Sequence, residues 1–528
     1  MRNTPLSEKK KLQIGTVFLY VVAQFLVIYM SLGYTNGKFI YALDDPYIHL
    51  SVAEMILEGG YGINVGEYAS PSSSILYPFL LAFLLLTGLG EFSPLVISFV
   101  FSVLSLWILS GYCANSDVMR EDRFSKISFF ILPPALILAT NSIALTMTGM
   151  EHSIHVFATI SALTGLKDLV ENRATSVSLI KVVLGVLLCS VIRFEGLALT
   201  VAMIIALFIL GHRLMTLALA FLIPAILSIY VVGMMSLGLP AIPSSVMVKS
   251  GVAAEVEGGS FFKVFLELFE NFRHSLDFGW GIAFFFSGIF FLYITFAHSS
   301  LTRNYRIFFA VPTFILLAHV FAGRYGWFGR YESYAVAALI IGIFSAPRRI
   351  IPFPLPRIGH TLAVLAIGLT YVDHIRIAPL ASLNIYQQQY QMHRFATEFY
   401  PEKVAVNDLG YVSFKNDSYV LDLYGLGSEY ARQLSRHDEW TPDLLTQITE
   451  KYDINFAMIY DHWFENIPPS WCRVGVLQTS MTSTASNHVA FYLFKPESEG
   501  RMRSALESFS DSLPNGASFH SFPCRSWS

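Results

Sequence analysis

Apolar residues gather in twelve runs along the chain, at 14–33, 75–90, 94–112, 127–141, 150–166, 177–192, 196–211, 214–237, 281–298, 307–322, 331–346 and 360–375. A helix crosses the hydrocarbon of a bilayer with about 20 mostly apolar residues. The pattern predicts a bundle of membrane helices. The run at 75–90 is the weakest, because it is short and only Gly88, Gly90 and Pro94 set it off from the next. Past residue 376 no run is long enough to cross. From about residue 385 the period changes. Val404 to Val406, Tyr419 to Leu421, Asn455 to Tyr460 and Val489 to Phe494 read as strands, and 427–436 and 441–451 as helices. The last thirty residues are Ser-rich and are expected to be loose.

Composition narrows the class. Of 528 residues 54% are hydrophobic and 14% charged, against roughly 25% charged in a soluble domain. That excludes a soluble enzyme, a disordered tail and a coiled coil. Charge is also unevenly placed. Residues 1–376 hold 24 basic and 21 acidic residues, and 377–528 hold 11 and 17. The near-neutral balance leaves no footprint for nucleic acid. No inverted internal repeat of the transporter kind is present.

Cytoplasmic loops carry excess Lys and Arg. If 75–90 only dips into the membrane, eleven helices span. Loops on the amino-terminal side, from Arg2 and Lys9 through Arg120, Arg123, Arg348, Arg349 and Arg357, then hold 16 basic residues against 7 on the other. If 75–90 crosses, the tally becomes 10 against 13. The first arrangement is expected. It places the amino terminus in the cytoplasm and residues 377–528 on the outer, or periplasmic, side of a cell (inner) membrane. The expected fold is a polytopic α-helical membrane protein of about 11 spans with a C-terminal soluble α/β domain. Its parts are a membrane domain, 1–376, with a first outer loop at 34–93, and an outer domain, 377–528. The run at Ile14 to Gly33 follows Lys9, Lys10 and Lys11 without a cleavage motif, and reads as a retained anchor. Cys113 and Cys189 read as core residues, while Cys472 and Cys524 are free to pair or not. No Cys/His metal spacing occurs.

The candidate chemistry collects in the outer segments. In YALDDPYIHLSVAEMILEGG, Asp44 and Asp45 precede a helical pattern with Ile48, Val52, Met55 and Ile56 on one side, which is expected to lie on the membrane surface. Asp45 before Pro46 fits a helix cap. A second carboxylate beside it is unfavourable unless something compensates; the pair suits a general base and its orienting partner. Glu151 in TGMEHSIH opens an apolar run and also fits a dipole-stabilising acid. Arg193 and Glu195 in IRFEG break an apolar stretch, where charges are expensive. Lys249 follows the Pro-rich loop 236–251, and Arg324, Arg330 and Glu332 stand in GRYGWFGRYE. Basic residues there can clamp a phosphate, or can snorkel.

DDPYIHL and EGGYGINVGEYASPSSSILYPFLLA resemble the DD-x-Y-I and S-P-L-Y-x-LLLA segments of the GT-C superfamily of integral membrane glycosyltransferases. TGMEH, IRFEGLAL, GLPAIPSSVMVKSG and GRYGWFGRYE resemble further segments of that superfamily in the same order, and VAVNDLGYVSF and LDLYGLGSEYAR resemble the D-x-G and D-L-x-G-L motifs of its outer domain. The nearest likeness is to bacterial polyprenyl-phosphate-dependent arabinofuranosyltransferase-like and mannosyltransferase-like members. Pro46, Phe194 and Ser244 or Ser245 depart from the usual Ala, Pro and Asn.

The resemblance implies transfer of a hexosyl or pentosyl unit from a polyprenyl-phosphate donor to a glycan, lipid or protein acceptor, with inversion. It implies Asp44 as base, with Asp45 beside it. Lys249, Arg193 and Arg330 would hold the phosphate, and Glu151, Glu195 and His49 would orient substrate. A divalent metal is compatible but not required. The alternatives are a transporter or flippase of lipid-linked sugars, and a scaffold that presents the tail.

Overall fold

The computed structural model describes residues 7–116, 125–259, 261–297, 301–346, 357–437, 440–483 and 485–524. Of the basic residues used to orient the chain, Arg2, Arg120, Arg123, Arg348 and Arg349 lie outside the described residues. Among those described, 7 helices are long and apolar enough to cross a membrane: Glu8–Tyr34, Gly90–Asn115, Ile127–Thr148, Arg213–Ser236, Gly279–Phe296, Arg303–Ala322 and the stretch Ile358–Phe399. Ser176–Ile192, Gly196–Ile209 and Ser333–Ser345 are shorter apolar helices, and His152–Val170 is another helix. Together they coincide with eleven of the twelve apolar runs, seven of them long enough to cross. The chain is a polytopic helical membrane protein with a C-terminal α/β domain. The run at 75–90 yields only the helix Tyr77–Leu85. That is about 13 Å at 1.5 Å per residue, too short for roughly 30 Å of hydrocarbon.

His152–Val170 is the central helix, buried at every residue except Asp168. A helix apolar on all sides belongs in a core. It packs against Ser176–Ile192, Ser93–Asn115 and Ser333–Ser345. Gly185 makes the first of these contacts possible, since a Cβ there would lie 2.6 Å from the Ala158 carbonyl oxygen. Small residues at such crossings let helix backbones approach in a membrane.

The segment 238–280, expected as a loop, is not a plain loop. It folds into Ser244–Lys249, Gly251–Glu257 and Phe261–Ser275. The helix Asp45–Leu57 does not lie on lipid either, as its pattern predicts. Pro46 to Ala53 are buried. Tyr47, Leu50 and Ala53 join the core of the membrane helices, and Ile48 and Val52 join that of the C-terminal domain. The helix is sandwiched because both of its sides are apolar.

The C-terminal domain carries a six-stranded sheet of β1 (Val404–Val406), β2 (Val420–Asp422), β3 (Phe456–Ile459), β4 (Cys472–Thr479), β5 (His488–Leu493) and β6 (Ala517–Ser521), in the order β2-β1-β3-β5-β4-β6. β1 is parallel to β2 and β3, and the remaining pairs are antiparallel. Helices Glu429–His437 and Pro442–Lys451 stand where the periodicity places them. β4 and β6 are additions. The final segment is not loose as its serines predict; Glu499–Asp511 is a helix that buries Met502, Leu506 and Phe509. Residues 525–528 of that segment lie outside the described residues. Cys472 and Cys524 form a disulfide, and Cys113 and Cys189 are free and buried. The helix Val372–Gln387 runs through residue 376, so a helix joins the two parts.

Candidate active site

The segment 70–74 ties the site together. Ser70 Oγ accepts the Ser244 N–H at 2.9 Å. Ser72 Oγ lies 3.0 Å from His49 Nδ1, and Ser73 Oγ donates to Glu151 Oε1 at 3.0 Å. Ser74 Oγ accepts the Tyr77 N–H at 3.1 Å and so opens the short helix. Four serines thereby bring the segment after the first helix, the central helix and the Lys249 segment to one end of the bundle.

Glu151 is fully buried. Arg193 Nη1 donates to its Oε1 at 2.8 Å, and His49 Nε2 lies 3.6 Å from its Oε2. Arg193 also engages both oxygens of Glu195, at 3.1 and 2.6 Å. The charges of IRFEG are therefore a mutually neutralised set, as buried ions must be. Tyr331 lies between two guanidinium groups, with Arg193 5.5 Å and Arg330 5.0 Å from its ring centroid.

Asp45 and Asp44 face different ways. Lys249 Nζ donates to Asp45 Oδ1 at 3.1 Å, and Arg330 Nη2 donates to the same oxygen at 3.3 Å. Burial works to raise the Asp45 pKa, but the Arg330 and Lys249 charges outweigh it and hold the carboxyl well below the usual carboxylate range. Asp45 is not a helix cap. That position falls to Asp44, whose side chain makes no capping bond. Asp44 instead reaches into the C-terminal domain, where Oδ2 accepts the Gly410 N–H and Oδ1 the Tyr411 N–H, both at 2.7 Å. Gly410 is required there, since a Cβ would lie 2.2 Å from the Asp44 backbone oxygen. The Asp408 carboxyl comes within hydrogen-bonding reach of Asp44; burial, then the neighbouring Asp408 charge, raises the Asp44 pKa well above the usual range. Burial likewise raises that of Asp408, although Gln389 and Tyr460 donate to it.

Asp45, Ser73, Arg193, Lys249, Arg330 and Tyr331 line a cavity of about 220 Å³. Glu195 and Arg324 also reach it. The buried Nε and Nη1 of Arg330 and the buried Oγ of Ser245 have no hydrogen-bond partner among the described residues. The cavity thus carries cationic donors in excess of its carboxylates. The turn behind Arg330 is unusual, because Trp327 and Phe328 have φ of 47° and 64° between Gly326 and Gly329 at 89° and 63°. Left-handed bulky residues persist only where their surroundings hold them. Here Asn141 Nδ2 donates to the Phe328 carbonyl at 2.6 Å.

The structure thus brings Asp45, Lys249, Arg193, Arg330 and Glu195 to one cavity, with Glu151 and His49 behind Arg193. It places Asp44 between the domains. Sequence reasoning missed Tyr331, the serine strap and the part of Asp408 and Gly410. The D-x-G motif that Asp408 and Gly410 form is their signal. Asp45 and Glu151 are each paired with cations, which leaves neither of these two carboxylates open to a divalent ion.

Residues 381–492 match the family model of a domain of unknown function, DUF8728. None of the curated proteins matches the sequence. Among solved structures, the chain is similar to the archaeal oligosaccharyltransferase AglB from Archaeoglobus fulgidus, determined in complex with an inhibitory peptide and a dolichol-phosphate. The identity is 10% and the TM-score 0.36, over 97% of this chain and 77% of that one. So distant a likeness carries neither fold nor function over to this chain.

Proposed function

We propose that the protein is a membrane glycosyltransferase that moves a sugar from a polyprenyl-phosphate donor to a glycan, lipid or protein acceptor. The observation that carries this reading is one carboxylate, Asp45, held by Lys249 and Arg330 at a cationic cavity. The ordered sequence resemblance to GT-C glycosyltransferases supports it. In this reading Lys249, Arg330 and Arg193 hold the donor phosphate, and the polyprenyl chain lies against the apolar helices. Phosphate binding draws Lys249 and Arg330 away from Asp45 and lifts its pKa toward the ordinary carboxylate value. Asp45 then takes the proton of the acceptor hydroxyl. The acceptor oxygen bonds the anomeric carbon, the bond from that carbon to the phosphate oxygen breaks, and the lipid phosphate leaves with the electron pair. The anomeric configuration inverts. Cations placed where charge develops lower the barrier. Glu151 and Glu195 keep Arg193 in place through ion pairs, and His49 stands against Glu151.

The C-terminal domain faces the outer compartment in this reading. The Cys472–Cys524 disulfide supports that side, since such bonds persist in oxidising compartments. The test is reconstitution with a panel of polyprenyl-phosphate sugars. Consumption of one of them with release of polyprenyl phosphate is expected. Transport of the intact lipid-linked sugar without release would replace the reading with that of a flippase.

A further inference from the structure

The opposite end of the central helix borders a second cavity, of about 750 Å³. From Glu151 to Lys167 the helix rises about 24 Å at 1.5 Å per residue. The two cavities are therefore separated by most of a hydrocarbon thickness. Lys9, Lys167, Arg173 and Lys181 line the second cavity with Asp168 and Glu171, so basic residues outnumber acidic ones four to two. Lys9 comes from the first turn of Glu8–Tyr34, Lys167 from the last turn of the central helix, Arg173 from the turn after it, and Lys181 from the helix that follows.

Two further observations point to a ligand. Ser161, deeply buried, lines this cavity, and its Oγ has no hydrogen-bond partner among the described residues. Trp107, Ile180 and Leu184 line the cavity and are among the exposed apolar side chains of the bundle. Such side chains face lipid in a membrane helix bundle. The cavity is thus basic at the helix ends and apolar toward the bilayer.

We propose that this cavity is a second lipid site, which takes the phosphodiester headgroup of an anionic membrane lipid. The headgroup phosphate binds Lys9 and Lys181 and shares the cations that Asp168 and Glu171 now neutralise, while the acyl chains run past Trp107 and Leu184. A basic pocket between membrane helices holds an anionic headgroup in this way. A soluble phosphate compound offers the same charge but does not account for the apolar lining toward lipid.

The full chain, purified in detergent with added phosphatidylglycerol or phosphatidylcholine, is read by native mass spectrometry for retained lipid. Phosphatidylglycerol is expected to stay bound and phosphatidylcholine to be lost. The double variant Lys9→Glu/Lys181→Glu is expected to retain on the order of tenfold less phosphatidylglycerol. Lys10→Glu/Lys11→Glu makes the same charge change outside the cavity and is expected to retain it as the parent does. Equal retention of the two lipids, or equal loss in both double variants, would overturn the site. Displacement of the lipid by millimolar inorganic phosphate would assign the cavity to a soluble phosphate and overturn the lipid. Thermal unfolding of each variant separates lost binding from lost fold.

Discussion

Two neighbouring carboxylates with the same chemistry do different work because a helix begins between them. Asp45 is the first helical residue and turns toward Lys249 and Arg330, while Asp44 turns to the backbone of Gly410 and Tyr411. The sequence shows the pair but not this division, which depends on a loop 366 residues further along the chain. The resemblance gives Asp44 the part of the base; both of its oxygens are already taken. Asp44→Ala is expected to loosen the C-terminal domain by about 3–6 kcal/mol, the scale of two hydrogen bonds to a charged group. Limited proteolysis and thermal unfolding would register it. The Asp44–Asp408 pair also predicts a pH dependence. Burial raises both pKa values, with the Asp408 charge adding to it at Asp44 and the Asp45 charge at Asp408, so the folded protein binds a shared proton more tightly than the unfolded chain does. The stability this adds is complete at acid pH, below the unfolded values, and is lost as pH rises through the raised ones. Asp408→Asn removes one charge of the pair. Its melting temperature is expected to fall less than the parent's as pH is raised; parallel curves would mean that the pair holds no shared proton.

The membrane helices are legible from apolar run length alone, because burial in lipid demands it. The strands of the C-terminal domain are legible only where β-branched residues gather. β4 hides behind Arg473, Gly475 and Gln478, and β6 is a polar edge strand with only Phe519 buried. The last helix was readable from Met502, Leu506 and Phe509 at helical spacing, but its serines point the other way. Docking of one element on another has no local signal. Asn64 pairs with both the N–H and the carbonyl of Val420, at 2.9 Å each, and so closes the free edge of β2. At the helix crossing, Gly185→Leu would drive a side chain into the Ala158 backbone. A loss of about 1–3 kcal/mol is expected, with overpacking as its cause, measured by thermal unfolding in detergent. The second core rests partly on a cross-link. Cys472→Ser is expected to cost about 2–4 kcal/mol of C-terminal-domain stability, and an unchanged melting curve would show the disulfide idle.

At the scale of the whole molecule, charge is scarce but sorted. Carboxylates and cations converge at one end of the central helix, a second basic cluster stands at the other, and the C-terminal domain closes over the first. The alternation of helices that brings this about rests on Tyr77–Leu85 not crossing. A reporter fused after residue 376 is expected to signal the outer compartment, whereas a cytoplasmic signal would reverse the sidedness of the account. The central claim is that Asp45, and not Asp44, receives the acceptor proton beside a phosphate held by Lys249 and Arg330. It is tested most directly by single-turnover transfer from a labelled polyprenyl-phosphate sugar, with the parent, Asp45→Asn and Asp44→Asn compared at equal folded concentration. The account predicts that Asp45→Asn slows the transfer step by about a hundredfold or more, the contribution expected of a general base. It also predicts that folded Asp44→Asn transfers within a few-fold of the parent. Parent-like transfer by Asp45→Asn, with the loss confined to Asp44→Asn, would contradict it.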